Sequence, residues 1–223
     1  MVAIMVLATF AIFVLVDFYF QRRREQPLQT AKAAKDHAVT GFPIGMVGGF
    51  KMPAVLAYHP GHSWAMKEAP KHVRIGMDDF AARVVGEIDS IELPARGRWL
   101  RQGERGWTIT RGGHRFEMLS PIEGEVTDVN EEILKDPRLL RADPYGVGWL
   151  LEIHSPAAEA NLKNLLHGRL AQSWMEESVA VLYSKINGGT AVHLQDGGHA
   201  VPDVLAQVPE ERWDRLVREI LLT

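Results

Sequence analysis

Gly112-Gly113 constrains this chain more than any other dipeptide. It separates two alternating runs, Thr108-Ile109-Thr110-Arg111 and His114-Arg115-Phe116-Glu117. Glycine tolerates positive φ at both central positions of a two-residue turn, so the stretch GERGWTITRGGHRFEMLSP (103–121) is expected to close as a β-hairpin. Arg111, His114 and Arg115 then gather at the tip. Two readings of that cluster stay open: a cationic contact for an acidic partner, and an ordinary solvated turn.

Other blocks surround the hairpin. They are His62-Ser63-Trp64, Val73-Arg74-Ile75-Gly76-Met77-Asp78-Asp79-Phe80, Ile91-Glu92-Leu93-Pro94, Ser120-Pro121-Ile122-Glu123-Gly124-Glu125-Val126, Val129-Asn130-Glu131-Glu132 and Asp143-Pro144-Tyr145-Gly146-Val147-Gly148-Trp149-Leu150. In that order and spacing, from about Tyr58 to Ile153, they resemble the glycine cleavage system H-protein family. The resemblance implies a mainly β, lipoyl/biotinyl-like barrel-sandwich hybrid, with Trp64 in its core. It also implies a small carrier whose lipoylated lysine sits at the hairpin tip.

Counting without gaps from Gly103 to Ser120, the lysine position falls on Gly113. The tip here reads Thr110-Arg111-Gly112-Gly113-His114, and no lysine occurs between Lys71 and Lys135. A lipoyl arm needs a primary amine for its amide bond. A guanidinium is always charged and cannot take that place, so Arg111 and Arg115 do not substitute. The cofactor carries the chemistry in such a carrier and the protein supplies position. The residues therefore predict the family's fold without its lipoyl cofactor: a degenerate site at Gly113, flanked by Arg111, Gly112, His114 and Arg115.

Residues 2–20, VAIMVLATFAIFVLVDFYF, are almost wholly apolar. That length is about the minimum for a helix to cross a bilayer. Asp17 is the one charge and lies near the end of the run, where its cost is reduced. Phe18, Tyr19 and Phe20 fit an interfacial belt, and Arg22-Arg23-Arg24 follow directly. The positive-inside rule then puts the main domain in the cytoplasm. No basic n-region or small-residue cleavage site marks a signal peptide. The expectation is a single-pass inner-membrane anchor from Val2 to Phe20, held in the lipid bilayer and fixed by Arg22, Arg23 and Arg24.

Four segments follow: an anchor (1–24), a connector (25–55), an H-protein-like lipoyl domain (56–155) and a C-terminal helical extension (156–223). In the connector, 29–37 suits a short helix, and the glycine-rich run 41–50 reads as a packed loop. The domain should contain short strands, including 87–93, 124–129 and 150–153. A helix is expected near Met77 to Val85 with Asp78 as its cap, and a helical turn at 136–140. Beyond it, one helix is expected over 156–184, with Ser155 as cap, Pro156 in the first turn, and a stripe of Leu162, Leu165, Leu166, Leu170, Trp174, Val179, Val181 and Leu182. A strand at 190–194 and helices at 201–206 and 209–222 complete the extension. The last helix carries Trp213, Leu216, Val217, Ile220 and Leu221 on one face.

Composition removes several function classes. There is no cysteine among the 223 residues, so disulfides, thiolate zinc sites and cysteine-ligated iron–sulfur clusters are excluded. A net charge of −3 gives no footprint for nucleic acid. The nine histidines form no HExxH or repeated paired pattern, so no metal site is expected. No nucleophile elbow, P-loop or dinucleotide fingerprint is present. No catalytic residue is expected, and the chain reads as a non-enzyme. The first functional expectation is a subunit or scaffold of an integral-membrane protein complex. The alternative is a glycine-cleavage or lipoate-pathway component that binds a lipoyl-dependent partner.

Overall fold

The computed structural model describes residues 44–186 and 208–222, all within one compact unit, Phe42–Thr223. The anchor expected at 2–20, Arg22 to Arg24, the helix at 29–37, the strand at 190–194 and the helix at 201–206 lie outside the described residues. Among the described residues, no helix is long and apolar enough to cross a membrane.

The domain is mainly β. Strands β1 (Ile44–Val47) and β2 (Phe50–Pro53) form a two-stranded hairpin. The run 41–50 was expected as a loop. Its Gly48-Gly49 pair instead turns this hairpin, with φ of 55° and 85°. The strands β3 (Ala57–His59), β4 (Ser63–Ala69) and β5 (His72–Met77) begin the main sheet. Helix α1 (Asp79–Val85) follows, then β6 (Ser90–Glu92), β7 (Trp99–Leu100), β8 (Arg105–Arg111), β9 (His114–Leu119) and β10 (Gly124–Val129). Two short helices, α2 (Glu131–Lys135) and α3 (Arg138–Ala142), precede the closing strand β11 (Leu151–His154). The extension holds α4 (Ala158–Lys163), α5 (Gly168–Ile186) and α6 (Glu210–Leu221).

Six strands form one antiparallel sheet in the order β3-β4-β5-β11-β10-β7, and β6-β8-β9 form a second. The alternation expected across 87–93 is realised only at 90–92, where Ile91 points inward between exposed Ser90 and Glu92. The core between elements is anchored by Trp64, whose indole N–H is shared by the carbonyls of Met77 (3.0 Å) and Pro144 (3.2 Å). Gly76 is needed there, because a Cβ would come within 2.6 Å of the Trp64 ring. Arg74 is buried on the same strand. Its charge is met by Glu68 at 2.8 Å and Glu152 at 3.6 Å, with Trp149 beneath it.

Helix α1 starts as expected. Asp78 accepts from the Ala81 N–H at 2.8 Å, and this satisfies one of the orphan donors of the first turn. The hydroxyl of Tyr145 accepts from the Asp79 N–H and donates to the Lys51 carbonyl. This ties α1 to β2.

The single helix expected over 156–184 is two helices. Leu166 leaves helical geometry to exchange two backbone hydrogen bonds with Tyr58, at 2.8 and 3.0 Å. Gly168 then has φ of 51°. Ser155 does not cap: the residue before α4 is Ala157 and makes no side-chain cap bond. The restart at Gly168 also sets the phase of α5. Ala171, Met175, Val179 and Leu182 face inward, while Leu170 and Val181, expected in the stripe, are exposed.

Candidate functional site

The β8–β9 hairpin closes as its sequence requires. Arg111 pairs with His114 across the tip, and Gly112 and Gly113 have φ of 56° and 81°. Both values lie where glycine carries no Cβ penalty. The tip is held to the body by Asp89, whose carboxylate accepts from the Gly112 N–H at 2.6 Å, while its own N–H reaches the Thr110 carbonyl. A Cβ built on Gly113 meets nothing within 4 Å. The position points into open space and has no side chain to use it.

The cations around Gly113 are partnered within the chain. Arg111 donates to the Val85 carbonyl at the end of α1, and its guanidinium lies 4.5 Å from the Trp213 ring centre. His114 Nδ1 sits 3.0 Å from the Asp214 carboxylate. Arg115 leaves on the other side and makes a two-pronged ion pair with Glu92, both contacts at 2.8 Å. The three residues therefore do not form one cationic cluster. Two face the extension and one faces β6.

Helix α6 covers this side of the hairpin. A helix is present within the expected 209–222, at Glu210–Leu221; Trp213, Leu216, Val217 and Leu221 are buried, while Ile220, expected on the same face, is only half-buried. The Trp213 ring packs edge-on against Phe116 at 5.2 Å and against His114 at 5.7 Å. Its N–H donates to the Val84 carbonyl at 3.3 Å. Arg218 stands over Phe116 at 5.1 Å and donates to Asp214. That guanidinium, helped by His114, holds the Asp214 carboxyl below the usual carboxylate value.

A second candidate lies in the core. His62 Nδ1 and Asp78 are 2.8 Å apart and both are buried. The imidazole stacks on Phe80 at 4.5 Å and lies tilted against Trp174 at 4.6 Å. His62 also has a φ of 61°, uncommon for a side-chain-bearing residue. The adjacent hydroxyl, Ser63, donates to the Leu119 carbonyl and not to the pair. The pair locks α1 to the turn before β4. Sequence reasoning placed Asp78 as a cap and His62 beside a core tryptophan, without joining them. Among the described residues, no three histidine, aspartate or glutamate side chains converge as metal ligands.

A family model described as glycine cleavage H-protein matches residues 56–178. The glycine cleavage system H protein of Chromobacterium violaceum is 36% identical over 115 residues, covering 52% of this chain and 89% of that protein. The corresponding protein of Mycobacterium avium is 33% identical over 109 residues, covering 49% and 83%. The crystal structure of a glycine cleavage system H protein from Mycobacterium marinum aligns over 61% of this chain and 99% of that one, with a TM-score of 0.47 and 24% identity. The family match ends within α5, so α6 lies beyond it.

Proposed function

The chain belongs to the glycine cleavage H-protein family, and from that premise we propose a non-catalytic, H-protein-like component that engages a lipoyl-dependent partner without carrying the lipoyl arm. The observation that carries the reading is the hairpin itself. Its register and two-residue tip are complete, yet the tip position has no amine: Gly113 stands there, and the nearest lysines in sequence are Lys71 and Lys135. The two sheets and their connections support a barrel-sandwich hybrid as the finer description of the fold. The partner would be glycine decarboxylase or the aminomethyltransferase.

Two measurements test this. Intact mass of the chain purified from its own cell should show no lipoyl adduct. Tagged full-length chain should then retain the decarboxylase or the aminomethyltransferase in a pull-down. A lipoyl adduct on any lysine, or binding to neither subunit, would overturn the reading.

One specific feature favours a second reading. The apolar run from Val2 to Phe20, followed by Arg22-Arg23-Arg24, suits a single-pass inner-membrane anchor with the domain on the cytoplasmic side. In that reading the chain is a scaffold subunit of an integral-membrane complex. Release of the full chain from membranes by alkaline carbonate would count against the anchor.

A further inference from the structure

The pairing of β5 with β11 brings together two histidines that no sequence motif connects. His72 opens β5, His154 ends β11, and the register sets them directly opposite one another. The neighbouring pair, Lys71 and Ser155, carries a backbone hydrogen bond of 2.7 Å. Antiparallel ladders alternate, so His72 and His154 form a non-hydrogen-bonded pair, where facing side chains stand closest. Their ring centres are 5.2 Å apart and the ring planes meet at 66°. His72 is exposed and His154 half-buried, so solvent reaches the pair.

The other described histidines are committed. His59 accepts from the Gly61 N–H, His62 faces Asp78, His114 faces Asp214, and His167 meets the Leu162 carbonyl. Among the described residues, His72 and His154 take part in no hydrogen bond or ion pair and touch only each other's rings. Their surroundings favour a cation. Arg74, the next residue on the same face of β5, is met by Glu68 and Glu152, and Glu125 stands opposite His154 on β10. With Lys71 included, these neighbours still carry a net negative charge, which raises the local concentration of a dication.

The spacing also suits a particular ion. Neutral imidazole binds zinc through a bond of about 2.0–2.1 Å. At that length the metal lies about 3.2 Å from each ring centre, and centres 5.2 Å apart subtend about 110° at it, the tetrahedral angle that zinc adopts. Rotation about χ2, a broad torsion in histidine, aims a nitrogen of each ring at the shared point.

We propose that His72 and His154 form a surface site for a divalent transition cation, zinc foremost, that clamps β5 to β11. No third histidine, aspartate or glutamate converges on them among the described residues, so water completes the coordination. An ion held only by the paired strands stabilises the folded state by mass action. The inference goes beyond the H-protein-like reading and does not rest on it.

The test uses the full-length, untagged chain. Zinc chloride is titrated by calorimetry into wild type, His72→Ala and His154→Ala at about pH 7.5, where an ordinary imidazole is mostly neutral. Once one imidazole holds the ion, the second binds within the same molecule, so each variant should bind at least about tenfold more weakly. Zinc should raise the thermal midpoint of wild type further than that of either variant. On the unaltered chain, zinc should protect His72 and His154 together from diethylpyrocarbonate, read by peptide mass, and this arm requires no variant to fold. Equal affinity in all three chains would overturn the proposal and make zinc an adventitious surface ion. Undiminished labelling of the two histidines at saturating zinc would overturn it as well.

Discussion

Arg111 lies with its guanidinium 4.5 Å from the ring centre of Trp213, while donating to the Val85 carbonyl at the end of α1. One side chain at the neck of the hairpin thus joins three elements: β8, α1 and α6. A stacked guanidinium is worth about 0.5–1 kcal/mol at exposed sites and about 2 or more when desolvated. Lysine would not reproduce it, since the planar fork both stacks and donates. The hairpin tip is positioned by the extension as well as by its own strands.

Gly113→Lys tests what the tip still permits. A Cβ at this position has open space, so the cost is conformational. The residue keeps a φ near 81°, and a left-handed conformation costs an L-residue roughly 1–2 kcal/mol. The variant should fold with a loss of that size in urea unfolding. Incubated with a lipoyl ligase and its substrate, it should gain a lipoyl adduct by intact mass, and the wild type should gain none. An unmodified, folded variant would mean that the covered hairpin face, and not only the missing amine, blocks the reaction.

The parts of this molecule set by local chemistry were legible in its sequence. Gly112-Gly113 specifies its turn within two residues. Asp78 caps α1 through a contact three residues away, and the last helix and four of the five residues expected on its inward face follow from spacing alone. The parts set by distant contacts were not legible. The break between α4 and α5 comes from Leu166 pairing with Tyr58, and nothing near Leu166 announces it. Gly48-Gly49 read as breakers when they turn a hairpin, because the short strands on either side carry little alternation of their own. At the candidate site, Arg111 and His114 were found, but their partners Trp213 and Asp214 lie about a hundred residues on. Charge at a turn does not reveal which segment will neutralise it.

Asp78 serves two partners, so its loss should exceed that of a simple cap. One oxygen holds the Ala81 N–H and the other faces His62 Nδ1, with the whole side chain buried. Removing a cap costs about 1 kcal/mol, and stranding a buried polar partner costs about 1–3 more. Asp78→Ala should therefore lose about 2–4 kcal/mol in urea unfolding. Asp78→Asn keeps an acceptor for Ala81 and should lose less. Equal losses for the two would show that the Ala81 cap adds nothing beyond the His62 contact.

Gly76→Ala should be damaging out of proportion to one methyl group. Gly76 has ordinary backbone angles, so strain is not the cause. The added carbon would sit 2.6 Å from the Trp64 ring, whose N–H is already fixed by two carbonyls. The ring cannot yield without breaking those bonds, and overpacking of this kind typically costs about 1–3 kcal/mol. The thermal midpoint should fall accordingly. Trp64→Phe in the same chain should recover part of the loss, because the smaller ring frees the space and removes the indole donor. No recovery would place the cost elsewhere on β5.

His59 and Asp214 contribute to an acid-sensitive stability profile, each in its own pH window. Burial, with His62 nearby, pushes the His59 imidazole below its ordinary value of 6.5. The folded state thus favours neutral His59, and the unfolded chain binds the proton first. Its contribution is complete above pH 6.5 and is lost as pH falls through the lowered folded value. Asp214 is also depressed, below the ordinary 3.8, chiefly by the Arg218 hydrogen bond. Its contribution is complete above the usual carboxylate range and disappears only as pH falls through the lower folded value. Urea midpoints should therefore decline first just below pH 6.5 and again below about pH 4. His59→Asn retains an acceptor for the Gly61 N–H, which now reaches His59 Nδ1 at 3.0 Å, and should abolish only the upper step. Asp214→Asn should reduce only the lower one, which Glu104, Asp136 and Glu159, also held below the ordinary carboxylate value by hydrogen bonds from their basic partners, share. An upper step that survives His59→Asn would assign it to another histidine.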